Sequence, residues 1–339
     1  MSDGLPAVLA IDGGSSKTDV ALVAGDGTLL AAARGPGVPD KLSDQTVLIL
    51  GELIWSAAGD ASRAAGGAGR RGAAGPAVAR HMIACVANVD LPEEEHQLGE
   101  MLSACGWSET THVANDTFAV LRAGVDCGGP HWGVAVTCGA GINCVGLAPD
   151  GKTTRFLALG EITGDWGGGL GLGKAALWWA IRAEDGRGTY TLLRETVPAY
   201  FGVPRVSDVA IGIHQGKIQL ADLGRLPPVL FDAALRGDAV ARDLVSRLAD
   251  EVCAMALTAI RRLGLTGLAV PLVLGGGVLA ARNPLLIDKI TERMAGAAPQ
   301  ATVRIAGIPP IAGAALLGLD HVGAPRSAEA RLRAAYPPG

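Results

Sequence analysis

The stretch Asp12-Gly13-Gly14-Ser15-Ser16-Lys17-Thr18-Asp19 decides how the rest of the chain is read. It sits between two short apolar runs, Val8 to Ile11 and Thr18 to Ala24. Runs of that length around a glycine pair predict two strands joined by a tight turn. Asp26-Gly27 marks a second turn, and Leu29 to Ala33 predicts a third strand, so the chain opens on a three-strand meander. Gly13 and Gly14 let the turn's amides point outward. Those amides, the hydroxyls of Ser15, Ser16 and Thr18 and the ammonium of Lys17 suit phosphate oxygens. Asp12, ending the first strand, suits a hydrated Mg2+. A plain hairpin turn is the other reading of the same residues.

The order then recurs. Trp132 to Thr137 predicts a strand, Cys138-Gly139-Ala140-Gly141 a turn, and Ile142 to Ala148 a second strand. Pro149 to Lys152 is another turn, and Thr153 to Leu159 a third strand. Between the two meanders, helical spacing falls on Thr46 to Ala65, Pro92 to Gly106 and Thr117 to Ala123, with strands at His81 to Ala87 and His112 to Ala114. After them come helices at Gly173 to Ala183, Thr189 to Tyr200, Asp238 to Leu263 and Pro284 to Ala295, and strands at Ala269 to Leu274 and Thr302 to Ile305. The Gly/Ala run from Ala64 to Gly75 reads as a flexible surface loop. The expectation is an α/β protein of two similar halves dividing near residues 112–130, with a ligand cleft between them.

Further motifs carry candidate chemistry. Gly139, Ala140 and Gly141 hold the place in the second half that Gly13 and Gly14 hold in the first, so both turns are candidate phosphate clamps, with Asn143 a candidate polar contact or a local turn former. Asn115-Asp116 stands at a strand-to-helix junction. Asp116 there is either a general base for an attacking hydroxyl or a helix cap, and Asn115 is a candidate substrate contact. Gly275-Gly276-Gly277 after an apolar strand allows an adenosine to lie close, or simply makes a tight turn. Glu161 and Asp165, in a Gly-rich loop, are candidates for sugar hydroxyls or for a solvated loop. Gly168 to Ala175 nearly spells the P-loop pattern, but Ala175 stands where a Mg2+-ligating hydroxyl is needed, so the match is false.

Composition narrows the classes. The 339 residues exceed the roughly 250–300 at which one core stops growing, so two domains are expected. Hydrophobic residues at 49 % and charged residues at 18 % exclude a disordered chain. A net charge of −4, with basic residues scattered and Arg70-Arg71 and Arg261-Arg262 only short surface pairs, argues against nucleic acid as partner. No apolar run is long enough to span a membrane and no signal peptide is visible, so the cytoplasm is expected. The six cysteines contain no CxxC pair and are expected to be reduced and mostly buried.

In this order the motifs resemble the sugar-kinase/Hsp70/actin superfamily and, within it, the N-acetylglucosamine kinase branch of the BadF/BadG/BcrA/BcrD ATPase family. The resemblance implies two actin-like (ribonuclease H-like) domains, 1–120 and 121–325, closing on a nucleotide cleft, with 326–339 returning to the first. It makes Asp12 to Thr18 and Cys138 to Gly141 the phosphate motifs, Gly275 to Gly277 the adenosine motif and Asp116 the base, and it puts Asn143 and Asp165 at the sugar. It implies ATP and Mg2+, a small sugar as substrate and a homodimer. The sugar side departs from the family pattern: Gly37-Val38-Pro39-Asp40 replaces a Ser/Thr-Asn pair, Ala158-Leu159-Gly160 replaces Gly-Trp-Gly, and Ala140 replaces a threonine. The zinc cysteines and ExGH motif of the ROK sugar kinases are absent. The expected activity is transfer of the ATP γ-phosphate to an amino sugar or hexose, N-acetylglucosamine at its 6-OH foremost. The alternative is an ATPase that activates a redox partner, as in the branch whose cysteines hold an iron–sulfur cluster.

Overall fold

The computed structural model describes residues 5–39, 41–64 and 76–336. Of the loop expected at Ala64 to Gly75, residues 65–75, with Arg70-Arg71, lie outside them, as does Asp40. The opening meander forms as β1 (Val8–Gly13), β2 (Lys17–Val23) and β3 (Leu29–Pro36). Then follow α1 (Asp44–Ala64), β4 (Ala79–Val86), α2 (Pro92–Ala104), β5 (Ser108–Asn115) and α3 (Asp116–Gly124). These strands make one sheet in the order β3-β2-β1-β4-β5. β2 pairs antiparallel with β1 and β3, while β1–β4 and β4–β5 are parallel. The second meander is β6 (Gly133–Cys138), β7 (Ile142–Leu147) and β8 (Thr153–Arg155); with β9 (Pro271–Gly275) and β10 (Thr302–Ile305) it makes a sheet ordered β10-β9-β6-β7-β8. Read from its other end, that order matches the first sheet, so the repeat seen in sequence is a repeat of topology.

The period of a strand sorts the first sheet's two faces. Leu9, Ile11, Val20 and Leu22 point into a cluster with Leu50, Ile54, Leu98, Leu102 and the fully buried Trp107. Their neighbours Val8, Ala10, Ala21 and Val23 point the other way, onto Ile311, Ala314, Ala315, Leu316 and Leu319. β1 is buried on both faces, which explains its unbroken apolar run.

The chain divides into unit 1, Met1–Ala135 with Leu147–Leu157 and Ala306–Gly339, and unit 2, Val136–Gly146 with Ala158–Ile305. The boundaries differ from those expected. The return to unit 1 begins at Ala306 rather than Arg326, because α11 (Pro310–His321) belongs to the first core. Its glycines permit this. A Cβ on Gly318 would stand 2.4 Å from Val8 Cγ1, and one on Gly313 would stand 1.9 Å from the Ala119 carbonyl of α3. α12 (Arg326–Ala334) then docks through charge: Arg122 of α3, buried, binds Asp320 at 2.7 Å and Glu329 at 2.8 Å.

Unit 2 adds α4 (Gly168–Glu184), α5 (Leu193–Phe201), α6 (Val206–His214), α7 (Pro227–Leu235), α8 (Ala239–Arg262), α9 (Gly276–Ala280) and α10 (Pro284–Ala297). Five helices were not expected from periodicity: α6, α7, α9, α11 and α12. α11 is apolar nearly all round and shows no amphipathic stripe. β8 stops at Arg155 rather than Leu159, and a single 3-10 turn, Gly160–Thr163, follows.

Candidate active site

In unit 1 the hairpin between β1 and β2 closes by a 2.9 Å bond from Gly14 N to the Lys17 carbonyl. Ser15, Ser16 and Lys17 are left exposed at its tip. The loop after β3 presses on the turn: a Cβ on Gly37 would stand 2.2 Å from the Ser15 carbonyl. The Lys17 ammonium lies 3.1 Å from Asp19, which also holds the Arg34 guanidinium at 2.5 Å. The Thr18 hydroxyl is buried and unpaired inside the protein, an orphan donor at the root of the turn. Asp12 pairs across the strands with Asp19 and is 8 % exposed. Burial, then the charges of Asp116 and Asp19, push its carboxyl up to about 7, against the opposing pull of Lys17 and Arg34. A divalent cation relieves such crowding, and Mg2+ needs only one or two protein carboxylates when phosphates and waters complete its shell. The donors present therefore fit a Mg2+·nucleotide held at Asp12.

Asp116 is the first residue of α3. Burial pushes its carboxyl up to about 6 against the pull of the Thr117 hydroxyl and amide. Asp116 is not the helix cap. That role falls to Asn115, whose side-chain oxygen accepts from Thr117 N at 3.0 Å. The Asn115 amide donates to Asp90 at 2.9 Å and to the Val89 carbonyl at 3.3 Å. Asn115 is 2 % exposed, and these bonds make it part of the junction's framework. Its own N–H donates to Glu95 at 3.1 Å, and Arg155 holds Glu95 at 2.9 Å while lying over the Phe118 ring. Asp90 is pushed up to about 7, by burial first and then by the charges of Asp116 and Glu94. Unit 1 thus gathers Asp12, Asp90 and Asp116 into one electrostatic group.

In unit 2 the turn after β6 closes by a 2.9 Å bond from Gly139 N to the Gly141 carbonyl. The turn's other carbonyls receive the start of α4: Gly169 N donates to Gly139 at 2.7 Å and Leu170 N to Ala140 at 3.2 Å. This seals the false P-loop, since the first amides of that helix are committed to protein carbonyls. It also explains why α4 starts earlier than expected. Gly168 has φ +70°, and a Cβ there would meet the Ala140 carbonyl at 2.4 Å. By contrast a Cβ at Gly139, Gly141 or Gly277 would meet nothing within 4 Å, so internal packing does not require glycine at these positions. Gly275 caps α9, and Gly276, at φ +78°, lies so close to Cys138 that a Cβ would stand 2.5 Å from its backbone. The candidate adenosine turn and the second phosphate turn are therefore adjacent. Asn143 accepts from the Cys144 amide at 2.7 Å, the local bond foreseen as its other reading.

The loop before α4 holds Asp165 in place. Thr163 Oγ1 lies 2.5 Å from its carboxylate and 3.0 Å from the Gly160 carbonyl. Trp166 is stacked under the Arg247 guanidinium, 4.0 Å from ring centre. Glu161 is exposed and paired with Lys174 at 3.4 Å. Asp165 is thus the ordered acid of the loop and Glu161 the solvated one.

The sequence profile of the BadF/BadG/BcrA/BcrD ATPase family matches residues 9–318. The chain belongs to the BadF/BadG/BcrA/BcrD ATPase family. Among relatives in that setting, an N-acetylmuramic acid/N-acetylglucosamine kinase of Clostridium acetobutylicum is 25 % identical over 282 residues, covering 82 % of this chain and 87 % of its own. An N-acetyl-D-glucosamine kinase of Dictyostelium discoideum is 27 % identical over 217 residues, 63 % of this chain and 67 % of its own. Among solved structures, a candidate N-acetylglucosamine kinase from Chromobacterium violaceum superposes with TM-score 0.69 at 24 % identity, over 93 % of this chain and 99 % of that one. A ROK family glucokinase from Streptomyces griseus, in complex with glucose and AMPPNP, gives TM-score 0.52 at 16 % identity, over 93 % and 98 %. These structural matches establish the actin-like sugar-kinase fold of this family member.

Sequence reading missed Asp90, Glu95 and Arg155. Leu91-Pro92 with three following glutamates signals a helix start, which is what α2 is. Nothing along the chain ties that start to Asn115, since only the parallel pairing of β4 with β5 brings them together.

Proposed function

We propose that this protein is an ATP-dependent kinase of an amino sugar, N-acetylglucosamine foremost, phosphorylating the 6-OH. The observation that carries the proposal is Asp116: a carboxyl at the head of α3, raised to about 6, in the same electrostatic group as Asp12 at the phosphate turn. A base of that strength is ionised at neutral pH yet binds a proton better than an ordinary aspartate. Asp116 orients the sugar hydroxyl and takes its proton as the oxygen attacks the γ-phosphorus of ATP. ADP leaves, and the proton resides on Asp116 until solvent removes it.

The hairpin of Gly13 to Thr18 and the turn of Gly139 to Gly141 bind phosphate oxygens, with the Thr18 hydroxyl as a further donor. Gly275 to Gly277 take the adenosine. Mg2+, when bound at Asp12, neutralises phosphate charge. Asp165 accepts hydrogen bonds from sugar hydroxyls. Kinases of N-acetylated hexosamines among the relatives support the substrate class. The redox-activator alternative finds no support in the cysteines: Cys85, Cys138, Cys144 and Cys253 are buried, Cys105 is half-buried and Cys127 is exposed. We further propose a cytoplasmic homodimer, which sedimentation would test.

The deciding experiment offers Mg·ATP with N-acetylglucosamine, N-acetylmannosamine, glucosamine or glucose and measures ADP release, with phosphorus NMR to locate the new ester. Sugar-dependent ADP release and a 6-phosphate are expected. ADP release that ignores every sugar would refute the proposal.

A further inference from the structure

The head of α3 is gripped from one side by the head of α2. The Asn115 amide group has two hydrogens and one oxygen to place. One hydrogen goes to Asp90, at 2.9 Å, and the Val89 carbonyl lies 3.3 Å from the same nitrogen. With the nitrogen so oriented, the oxygen must face Thr117 N, which it meets at 3.0 Å. Asp90 is itself fixed, because its N–H and that of Leu91 both donate to Glu94, at 2.9 and 3.0 Å. The order of restraint runs Glu94, Asp90, Asn115, Thr117, and the residue enclosed between the last two is Asp116.

We propose that Asp90 is a positioning residue for phosphoryl transfer: by holding the Asn115 amide in its capping orientation, it sets where the Asp116 carboxylate points. The proposal rests on Asp116 being the base. Without the Asp90 acceptor the Asn115 amide loses the shorter of these two bonds and keeps the 3.3 Å one to the Val89 carbonyl, so its capping orientation is held less firmly and a turned amide would present a donor to the Thr117 donor. The first turn of α3 then loosens at the one residue that must meet the sugar hydroxyl. A misplacement of about 1 Å at a reacting group costs on the order of 100-fold in rate. Nucleotide affinity draws on other residues and is unaffected.

The test compares Asp90→Ala, Asp90→Leu and Asp90→Asn, with Asp116→Asn as reference, on the sugar that the parent phosphorylates. Asp90→Ala removes the acceptor and leaves space, while Asp90→Leu removes it and fills the volume. Each is expected to lower kcat about 10- to 100-fold with the KM for ATP within about twofold of the parent. Asp90→Asn keeps an acceptor oxygen and is expected to restore kcat to within a few-fold. Thermal unfolding of each variant identifies any that fails to fold; Asp90→Asn should fold as the parent does, so its kcat is readable in every case. Parental kcat in Asp90→Ala or Asp90→Leu overturns the proposal, as does a loss in Asp90→Asn equal to that in Asp90→Ala. If Asp116→Asn itself turns over normally, the base assignment fails. If Asp116→Asn is inactive while Asp90→Ala is not, only the role of Asp90 fails.

Discussion

At the residue scale the chemistry turns on carboxyls moved out of their ordinary range by burial. Asp116→Asn keeps size and polarity while removing basicity, and Asn115 still caps the helix. The variant should fold and bind ATP normally and lose about 100- to 10,000-fold in kcat, measured by coupled ADP release. Asp116 acts only when ionised, and its carboxyl is raised to about 6. Turnover in the parent should therefore rise with pH through about 6 and level off above it; a profile flat from pH 5 to 8 would remove Asp116 from the proton transfer. Asp165, ordered by Thr163, is predicted to bind sugar. Asp165→Ala should raise the sugar KM with ATP affinity unchanged by calorimetry, because each sugar donor left unpaired costs about 1–3 kcal/mol. Glu161→Gln, at an exposed residue paired with Lys174, should have a much milder effect.

At the scale of elements the glycines separate into two kinds. Gly168, Gly276, Gly313 and Gly318 are required by the fold, since a Cβ at each would strike a neighbour at 2.5 Å or less. Gly139, Gly141 and Gly277 have open space where a Cβ would stand. Gly139→Val should consequently fold, and its side chain should occupy the volume assigned to phosphate. The KM for ATP should rise at least severalfold more than the KM for sugar. Gly168→Ala, in contrast, should lower the thermal midpoint by displacing the Ala140 carbonyl. Equal ATP affinity in Gly139→Val and parent, measured by calorimetry, would rule out the second turn as a phosphate site. The same division shows what was legible: sequence located the motifs that hold Gly139, Gly141, Gly168, Gly276 and Gly277 but not Gly313 or Gly318, and which glycines serve packing and which leave space is a property of neighbours far along the chain.

At the scale of the whole molecule the last residues belong to the first core. Leu316 and Leu319 of α11 are almost fully buried against β1 and β4, each contributing about 1.5–3 kcal/mol. α12 is held by Arg122, whose partners Asp320 and Glu329 lie about 200 residues away in sequence, at separations of 198 and 207. Arg122→Ala takes the nearest cation from the buried Glu329 carboxylate, leaving it Arg333 with the longer contacts to His131 and the Gly128 amide, and should lower stability by up to about 3–5 kcal/mol in urea titrations. Burial raises the Glu329 carboxyl, but Arg122 and Arg333 overcome it and bring it down to about 2 from 4.5. A lowered acid stabilises the fold when ionised. That contribution should be complete above pH 4.5 and fade as pH falls toward about 2, and in Arg122→Ala the acid-dependent loss should shrink.

The sequence by itself determined the elements whose signals are local. The strand-turn-strand of Asp12 to Asp19, its repeat at Cys138 to Gly141, the capped start of α2 and the junction at Asn115-Asp116 all follow from neighbours within a few residues. Hydrophobic period and turn chemistry act over that range. Only the tertiary structure decided which of those residues has its polar groups satisfied within the protein. It tied the Asn115 amide to Asp90, brought α11 back to β1 and α3 through two glycines, and lifted Asp12 and Asp116 by burial. Burial and long-range hydrogen bonds arise where strands distant in sequence become adjacent in a sheet, and no window along the chain contains both partners.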